Sequence, residues 1–120
     1  MPNFFWYSVS DIKVVLNQNN EVLYLSRSDI PNDSRDQNSK MLKAYHIVPF
    51  RIFFLIKYTK WPKGKLETVE YNEYFRILEN GYKIKAVHVE SSAISVDTEE
   101  DIKFVRNAMI ADPLFQQYYP

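Results

Sequence analysis

The chain opens with short β-branched blocks and continues into segments whose apolar residues recur every three or four positions. Ile12–Leu16 (IKVVL), bounded by Asp11 and Asn17, predicts a strand. Asn17–Asn20 is a turn cluster, and Glu21–Leu25 (EVLYL) predicts a second strand, so the two form a hairpin. Residues 26–40 are polar, contain Pro31 and several Asp and Asn, and predict a long surface loop of the kind that often carries function. Leu42–Val48 predicts a strand entering Pro49. Phe50–Tyr58 is apolar on several faces and predicts a short, mostly buried helix, broken by Trp61-Pro62-Lys63-Gly64.

Lys65–Glu79 places Leu66, Val69, Phe75 and Leu78 on roughly one helical stripe, and Asn80-Gly81 supplies a left-handed C-terminal cap. Tyr82–Val89 and Ile94–Val96 predict strands. Thr98 then predicts an N-cap, with Asp101 three residues on as a capping-box partner. Ile102, Val105 and Met109 give the following helix an apolar face, and Asp112-Pro113 ends it. The aromatic tail (Phe115, Tyr118, Tyr119) is expected to dock, for example on a partner subunit.

The order is ββ, loop, β, α, α, β, β, α, a mixed α/β arrangement. No helix follows the first hairpin to cover it, which predicts an antiparallel appendage. A chain of 120 residues, 46% hydrophobic and 16% aromatic, is one ordered domain with a real core. Fifteen basic residues balance fifteen acidic ones, so charge gives no reason to expect nucleic acid or an acidic membrane as partner. The absence of cysteine excludes disulfides, zinc–thiolate sites and thiol nucleophiles, and fits a reducing compartment. Met1–Tyr7 lacks a basic region and a long apolar run, and Ile52–Ile56 is far too short to cross a bilayer, so a soluble, cytoplasmic protein is expected. The two glycines, Gly64 and Gly81, stand far apart. A phosphate-cradling loop needs clustered glycines, so no such loop is expected here.

Four segments, in order, resemble the CMP-Kdo synthetase (3-deoxy-manno-octulosonate cytidylyltransferase) family. Residues 12–31 resemble its hairpin followed by "YFSRSPIP". Residues 46–58 (HIVPFRIFFLIKY) resemble "HIGIYAYR…FLLKY", residues 65–87 resemble "LEQIEKLEQLRxLENGYKIKV", and residues 92–102 (SAISVDTEEDI) resemble "SIGVDTPEDL". Family members are about twice this length. The resemblance therefore implies the C-terminal half of a Rossmann-like nucleotidyltransferase, with a mixed sheet, a hairpin used in dimerisation, and the CTP loop in an N-terminal half that this chain lacks.

The resemblance implies a reaction in which the anomeric hydroxyl of Kdo, an eight-carbon acidic sugar, attacks the α-phosphate of CTP and pyrophosphate leaves, for lipopolysaccharide biosynthesis. Such transfer uses Mg²⁺. Asp97 matches the aspartate of "VDT", a metal ligand in the family; the other reading of Asp97 is a helix cap, alone or with Thr98. Arg27 matches the arginine of "SRS" near the sugar site, where a guanidinium can clasp a carboxylate; the other reading is an exposed strand-end arginine. His46 matches the family histidine if two residues are deleted after it, whereas without a gap Ala44 takes that place. His46 is then either a donor to a sugar hydroxyl or structural, and His88 is structural.

Glu73 and Arg76 match the "LEQLR" helix, with Tyr74 in place of a sugar-binding glutamine. A phenol cannot reproduce the amide's paired donor and acceptor, which leaves open another acidic sugar, such as a sialic-acid-like one. For Glu67, Glu70 and Glu73 the plain reading is the solvated face of an amphipathic helix. The expected substrate-binding set is Arg27, His46, Glu73 and Tyr74, with Asp97 for metal and no other catalytic group. The expected partners are Kdo, CTP bound weakly or not at all by this chain alone, and a second subunit in a homodimer. A sugar-binding or dimerisation module without turnover is the alternative.

Overall fold

A computed structural model of the chain describes residues 10–32, 34–36, 40–90 and 94–118. Two units are distinguished, residues 1–87 and residues 88–120.

The first unit is built on a three-stranded antiparallel sheet in the order β2-β1-β3. Strands β1 (Lys13–Leu16) and β2 (Val22–Ser26) form the expected hairpin. Its turn follows from Asn17, whose Oδ1 accepts the N–H groups of Asn19 and Glu21, both at 2.9 Å. Asn20 completes the turn in the left-handed region at φ 57°, a conformation asparagine tolerates. Strand β3 is only Leu42–Lys43, shorter than the expected Leu42–Val48. Among the described residues the sheet is wholly antiparallel. The expected strand at Tyr82–Val89 is reduced to a single antiparallel bridge, Glu21 to Lys85, on the outer edge of β2. Val22 N–H donates to the Ile84 carbonyl at 2.9 Å and Ala86 N–H to the Asn20 carbonyl at 2.8 Å.

The hairpin is not an appendage. Its inner face carries Ile12, Val14 and Leu25, which form the buried core with Phe75. Leu16, Val22, Tyr24, Leu42, Ala44, Leu66, Tyr74 and Leu78 pack around that core, and Tyr24 meets Phe75 edge-on at 4.9 Å. Burial of these side chains is the main stabilising contribution, about 1.5–3 kcal/mol for each one fully buried.

Helix α1 (Ile52–Tyr58) is not mostly buried as expected. Its aromatic stripe, Phe50, Phe54 and Tyr58, recurs at the four-residue spacing of one helix face and meets Trp61 and Tyr82, with ring centroids 5.1–6.2 Å apart. Ile52, Phe53 and Ile56 fall on the other side and are exposed, Phe53 at 85%.

The single helix expected over 65–79 is two: α2 (Lys65–Glu70) and α3 (Phe75–Glu79). Tyr71 adopts a left-handed conformation (φ 54°) between them. The break resets the helical phase, so Leu66, Phe75 and Leu78 reach the core while Val69, expected on the same stripe, is exposed. The end of α3 matches expectation. Gly81 has φ +78°, its N–H donates to the Leu78 carbonyl, and Tyr82 N–H donates to the Ile77 carbonyl, the bond pair of a Schellman cap.

The second unit contains α4 (Glu99–Ile110) and α5 (Pro113–Tyr118). Thr98 caps α4 as expected: its hydroxyl accepts from Asp101 N–H, and Asp101 Oδ2 accepts from Thr98 N–H at 2.9 Å. Ile102 and Val105 are half-buried, while Met109 is exposed. Asp112 ends α4 and starts α5, its Oδ1 accepting from Leu114 and Phe115 N–H. Ile94–Val96 forms no strand. The expectations for Met1–Tyr7 and Tyr119 lie outside the described residues.

Candidate functional site

A cavity of about 490 Å³ opens in the first unit, lined by Ile12, Arg27, His46, Lys63, Glu67, Tyr71, Asn72, Glu73 and Tyr74. All four residues expected to bind substrate, Arg27, His46, Glu73 and Tyr74, lie on this one wall. They come from different places in the chain: the end of β2, the segment after β3, and the link between α2 and α3.

Arg27 follows the last residue of β2, and a buried neighbour fixes its backbone. Lys13 is 1% exposed, and its ammonium donates to the Arg27 carbonyl and pairs with Asp29 at 3.2 Å. The Arg27 side chain spends one Nη1–H on the Glu70 carbonyl at 3.2 Å, which leaves the rest of its planar fork for an acceptor in the cavity. A guanidinium so placed suits a carboxylate.

His46 stacks on Tyr74, with ring centroids 5.8 Å apart and planes at 23°. Burial raises the Tyr74 phenol above its ordinary value, with Glu73 adding to the effect, so it is a neutral donor at physiological pH. Its hydroxyl has no partner among the described residues. Glu73 is exposed beside it and supplies the Tyr58 hydroxyl with a backbone acceptor at 3.2 Å.

Of the three glutamates expected on a solvated helix face, Glu67 and Glu70 are drawn inward. Glu67 is 5% exposed. Arg76 grips both of its oxygens, Nε to Oε2 at 2.8 Å and Nη2 to Oε1, and Gly64 N–H donates to it at 3.3 Å. The Arg76 hydrogen bonds hold the Glu67 carboxyl below its ordinary value, and Glu67 in turn raises Arg76. Arg76 also lies over the Tyr58 ring, 5.0 Å from its centroid. Glu70 is half-buried and accepts from the Tyr24 and Ser26 hydroxyls at 3.0–3.2 Å, which raises the Tyr24 phenol. Only Glu73 of the three is solvated. The cavity lining holds Arg27 and Lys63 against Glu67 and Glu73, and Arg76 offsets the Glu67 charge.

Lys63, Tyr71 and Asn72 were not singled out from sequence. Lys63 lies over the Tyr71 ring at 5.3 Å. Asn72 had a legible signal: it falls midway between Val69 and Phe75 on the apolar stripe, where a polar residue marks a buried polar group. Its Nδ2 is buried without a partner among the described residues, a cost of about 1–3 kcal/mol when left unpaired.

Asp97 belongs to the second unit and precedes α4. The capping box is made by Thr98 and Asp101, and Asp97 contributes only its N–H, to Asp101 Oδ2 at 3.1 Å. Its exposed carboxylate has no partner among the described residues. The capping reading of Asp97 therefore does not use its side chain. No group of three or more His, Asp or Glu that could hold a metal occurs among the described residues. A single unengaged carboxylate fits Mg²⁺, which keeps several waters and takes one or two carboxylates beside substrate phosphates.

A family model described as cytidylyltransferase matches residues 6–100. The chain is similar to the 3-deoxy-manno-octulosonate cytidylyltransferase of Fusobacterium nucleatum, 39% identical over 98 residues, covering 82% of this chain and 40% of that protein. It is 41% identical to the Parabacteroides distasonis protein of the same name over 97 residues, or 76% of this chain and 39% of that one. A solved structure of CMP:2-keto-3-deoxy-manno-octonic acid synthetase complexed with CTP superposes with a TM-score of 0.75 at 31% identity, covering 86% of this chain and 43% of that one. The chain thus spans about two fifths of the length of these relatives.

Proposed function

The chain belongs to the cytidylyltransferase family, and we propose that it forms the sugar-acid side of an enzyme that joins CTP to 3-deoxy-manno-octulosonate, releasing pyrophosphate, in lipopolysaccharide precursor synthesis in the cytoplasm. One observation carries this reading: Arg27, His46, Glu73 and Tyr74, from three separate segments, share one cavity, with Lys63 as a second cation in its lining. The Arg27 fork takes the sugar carboxylate. His46 and the neutral Tyr74 hydroxyl bond sugar hydroxyls, and Glu73 accepts from another. The anomeric oxygen so oriented forms a bond to the α-phosphorus of CTP as the bond to pyrophosphate breaks, and the hydroxyl proton passes to water. Mg²⁺ held at Asp97 would supply charge neutralisation at the phosphates.

Both glycines are engaged in helix ends, Gly64 at α2 and Gly81 at α3, so neither builds a phosphate cradle. The reading accordingly has CTP bound outside this chain, which alone does not turn over. A homodimer is part of the same reading, supported by the exposed Ile52, Phe53 and Ile56 face of α1, since large apolar patches seldom stay uncovered. Among the described residues no helix is long and apolar enough to cross a membrane.

The test is a titration of the chain with 3-deoxy-manno-octulosonate followed by NMR, paired with a turnover assay after mixing with the N-terminal portion of the Fusobacterium relative. Saturable shifts at Arg27, His46 and Tyr74, and pyrophosphate release only in the mixture, are expected. Absence of any shift overturns the sugar-binding reading.

A further inference from the structure

Arg27 is exposed, yet its backbone rests on a fully buried charge. Lys13, the first residue of β1, is 1% exposed. An ammonium carries three donors, and three oxygens stand within reach. They are the Arg27 carbonyl, the Asp11 carbonyl at 3.1 Å and Asp29 Oδ1 at 3.2 Å. Lysine is almost never fully buried unless paired, and here the pairing is to the segment that presents Arg27. Lys13 lies opposite Ser26 at the open end of the hairpin, the point where Arg27 leaves it. Ser26 is buried as well. Its hydroxyl donates to Glu70 at 3.0 Å and accepts from Ser28 N–H at 3.1 Å. The chain is therefore fastened just before Arg27, just after it, and at its own carbonyl.

We propose that Lys13 is a positioning residue for carboxylate recognition. It fixes the backbone from which the Arg27 fork reaches the sugar acid, and it does not line the cavity itself. The preference for the acid over its uncharged form then depends on a side chain that never touches the ligand. The proposal rests on the sugar-binding reading and deepens it. A two-pronged guanidinium–carboxylate contact is directional, and a displacement of about 1 Å is enough to spoil such a contact. A methyl group in place of the ammonium would leave the Arg27 carbonyl and Asp29 without this donor. The pattern that residues 12–31 resemble has proline where Asp29 stands, so the ion-pair arm of the brace is this chain's own.

The experiment titrates the full 120-residue chain by calorimetry with 3-deoxy-manno-octulosonate and, separately, with its C1 carboxamide. The wild type is expected to bind the acid more tightly. Lys13→Met keeps the apolar stem and removes the donors. It is expected to raise the Kd of the acid about tenfold and that of the carboxamide less than about twofold. Combined with Arg27→Ala, it should add no further loss, because both act on one contact. A side chain that serves only the fold would weaken both ligands alike, and that result overturns the role of Lys13 while sugar binding stands. So does acid binding by Lys13→Met at the wild-type Kd, or equal wild-type binding of acid and carboxamide. If the wild type binds neither ligand, both readings fall. Where Lys13→Met does not fold, the wild-type ¹⁵Nζ signal of Lys13 decides. It is expected to shift in the acid titration with the Kd of the Arg27 guanidinium, and a signal unmoved at saturation overturns the proposal.

Discussion

The imidazole of His46 lies nearly parallel to the phenol of Tyr74, 5.8 Å away centre to centre. His46 belongs to a segment with neither helix nor strand, whereas Tyr74 is the N-cap residue of α3 and packs against the core. The stack therefore ties an irregular segment to the core of the unit, and the core sets where the imidazole can be.

Tyr74 separates a structural contribution from a binding one. Tyr74→Phe keeps the ring and removes a hydroxyl that has no partner among the described residues, so stability should change by less than about 0.5 kcal/mol. Sugar affinity should fall, because the neutral donor is gone. Tyr74→Ala removes the ring from the edge of the core and should cost about 2–3 kcal/mol as well as affinity. Thermal denaturation and sugar titration of both variants check this. A loss of stability in Tyr74→Phe would mean the hydroxyl serves the fold.

Much of this unit was legible in residue pattern, for local reasons. The hairpin follows from β-branched runs around Asn17–Asn20, and the end of α3 from Asn80-Gly81, where only glycine enters the left-handed region without strain. The break between α2 and α3 was not legible. It rests on Tyr71 at φ 54°, and nothing about tyrosine announces a left-handed residue. Glu67 turns inward and Val69 outward, so the solvated-face reading holds for Glu73 and fails for Glu67 and Glu70. The exposed face of α1 was not legible because apolar content alone does not say which side of a helix the core covers. The grouping of Arg27, His46, Glu73 and Tyr74 came from resemblance, since no local rule brings those segments together.

The Glu67–Arg76 pair predicts a pH dependence. Arg76 holds the Glu67 carboxyl below its ordinary 4.5. The unfolded chain therefore takes up a proton before the folded one does. The stabilisation is present above pH 4.5 and is lost as pH falls through the lower folded value. Urea unfolding between pH 7 and pH 3 should show that decline, and Glu67→Gln should flatten it. Arg76→Met leaves the buried carboxylate unpaired and should cost about 3 kcal/mol at neutral pH, the low end for breaking a buried pair because Arg76 is partly exposed. Glu67→Gln combined with Arg76→Met should recover much of that loss.

Gly64 is required by a close approach. The Glu79 carboxylate reaches the start of α2, accepting from Leu66 N–H at 3.1 Å and Glu67 N–H at 3.5 Å. A Cβ on Gly64 would stand 2.1 Å from Glu79 Oε2. Gly64→Ala should push that flexible side chain aside and cost about 1 kcal/mol, the worth of a helix cap. Glu79→Ala should cost about the same, and the double variant little more than either alone, because both remove one interaction. Additive losses in chemical denaturation would show that the clash falls elsewhere.

Asp97 and Thr98 are adjacent and should separate cleanly in experiment. The cap of α4 is made by the Thr98 hydroxyl and the Asp101 carboxylate, while the Asp97 carboxylate takes no part. Thr98→Ala should therefore destabilise α4 by about 1 kcal/mol and leave metal-dependent turnover in the complemented enzyme near wild type. Asp97→Asn should do the reverse: an unchanged circular dichroism spectrum and melting temperature, with turnover abolished at ordinary Mg²⁺ and partly restored as Mg²⁺ is raised. The last measurement matters most, because a weakened ligand is overcome by mass action and a disrupted helix is not. Full turnover by Asp97→Asn at low Mg²⁺ would remove Asp97 from the metal site.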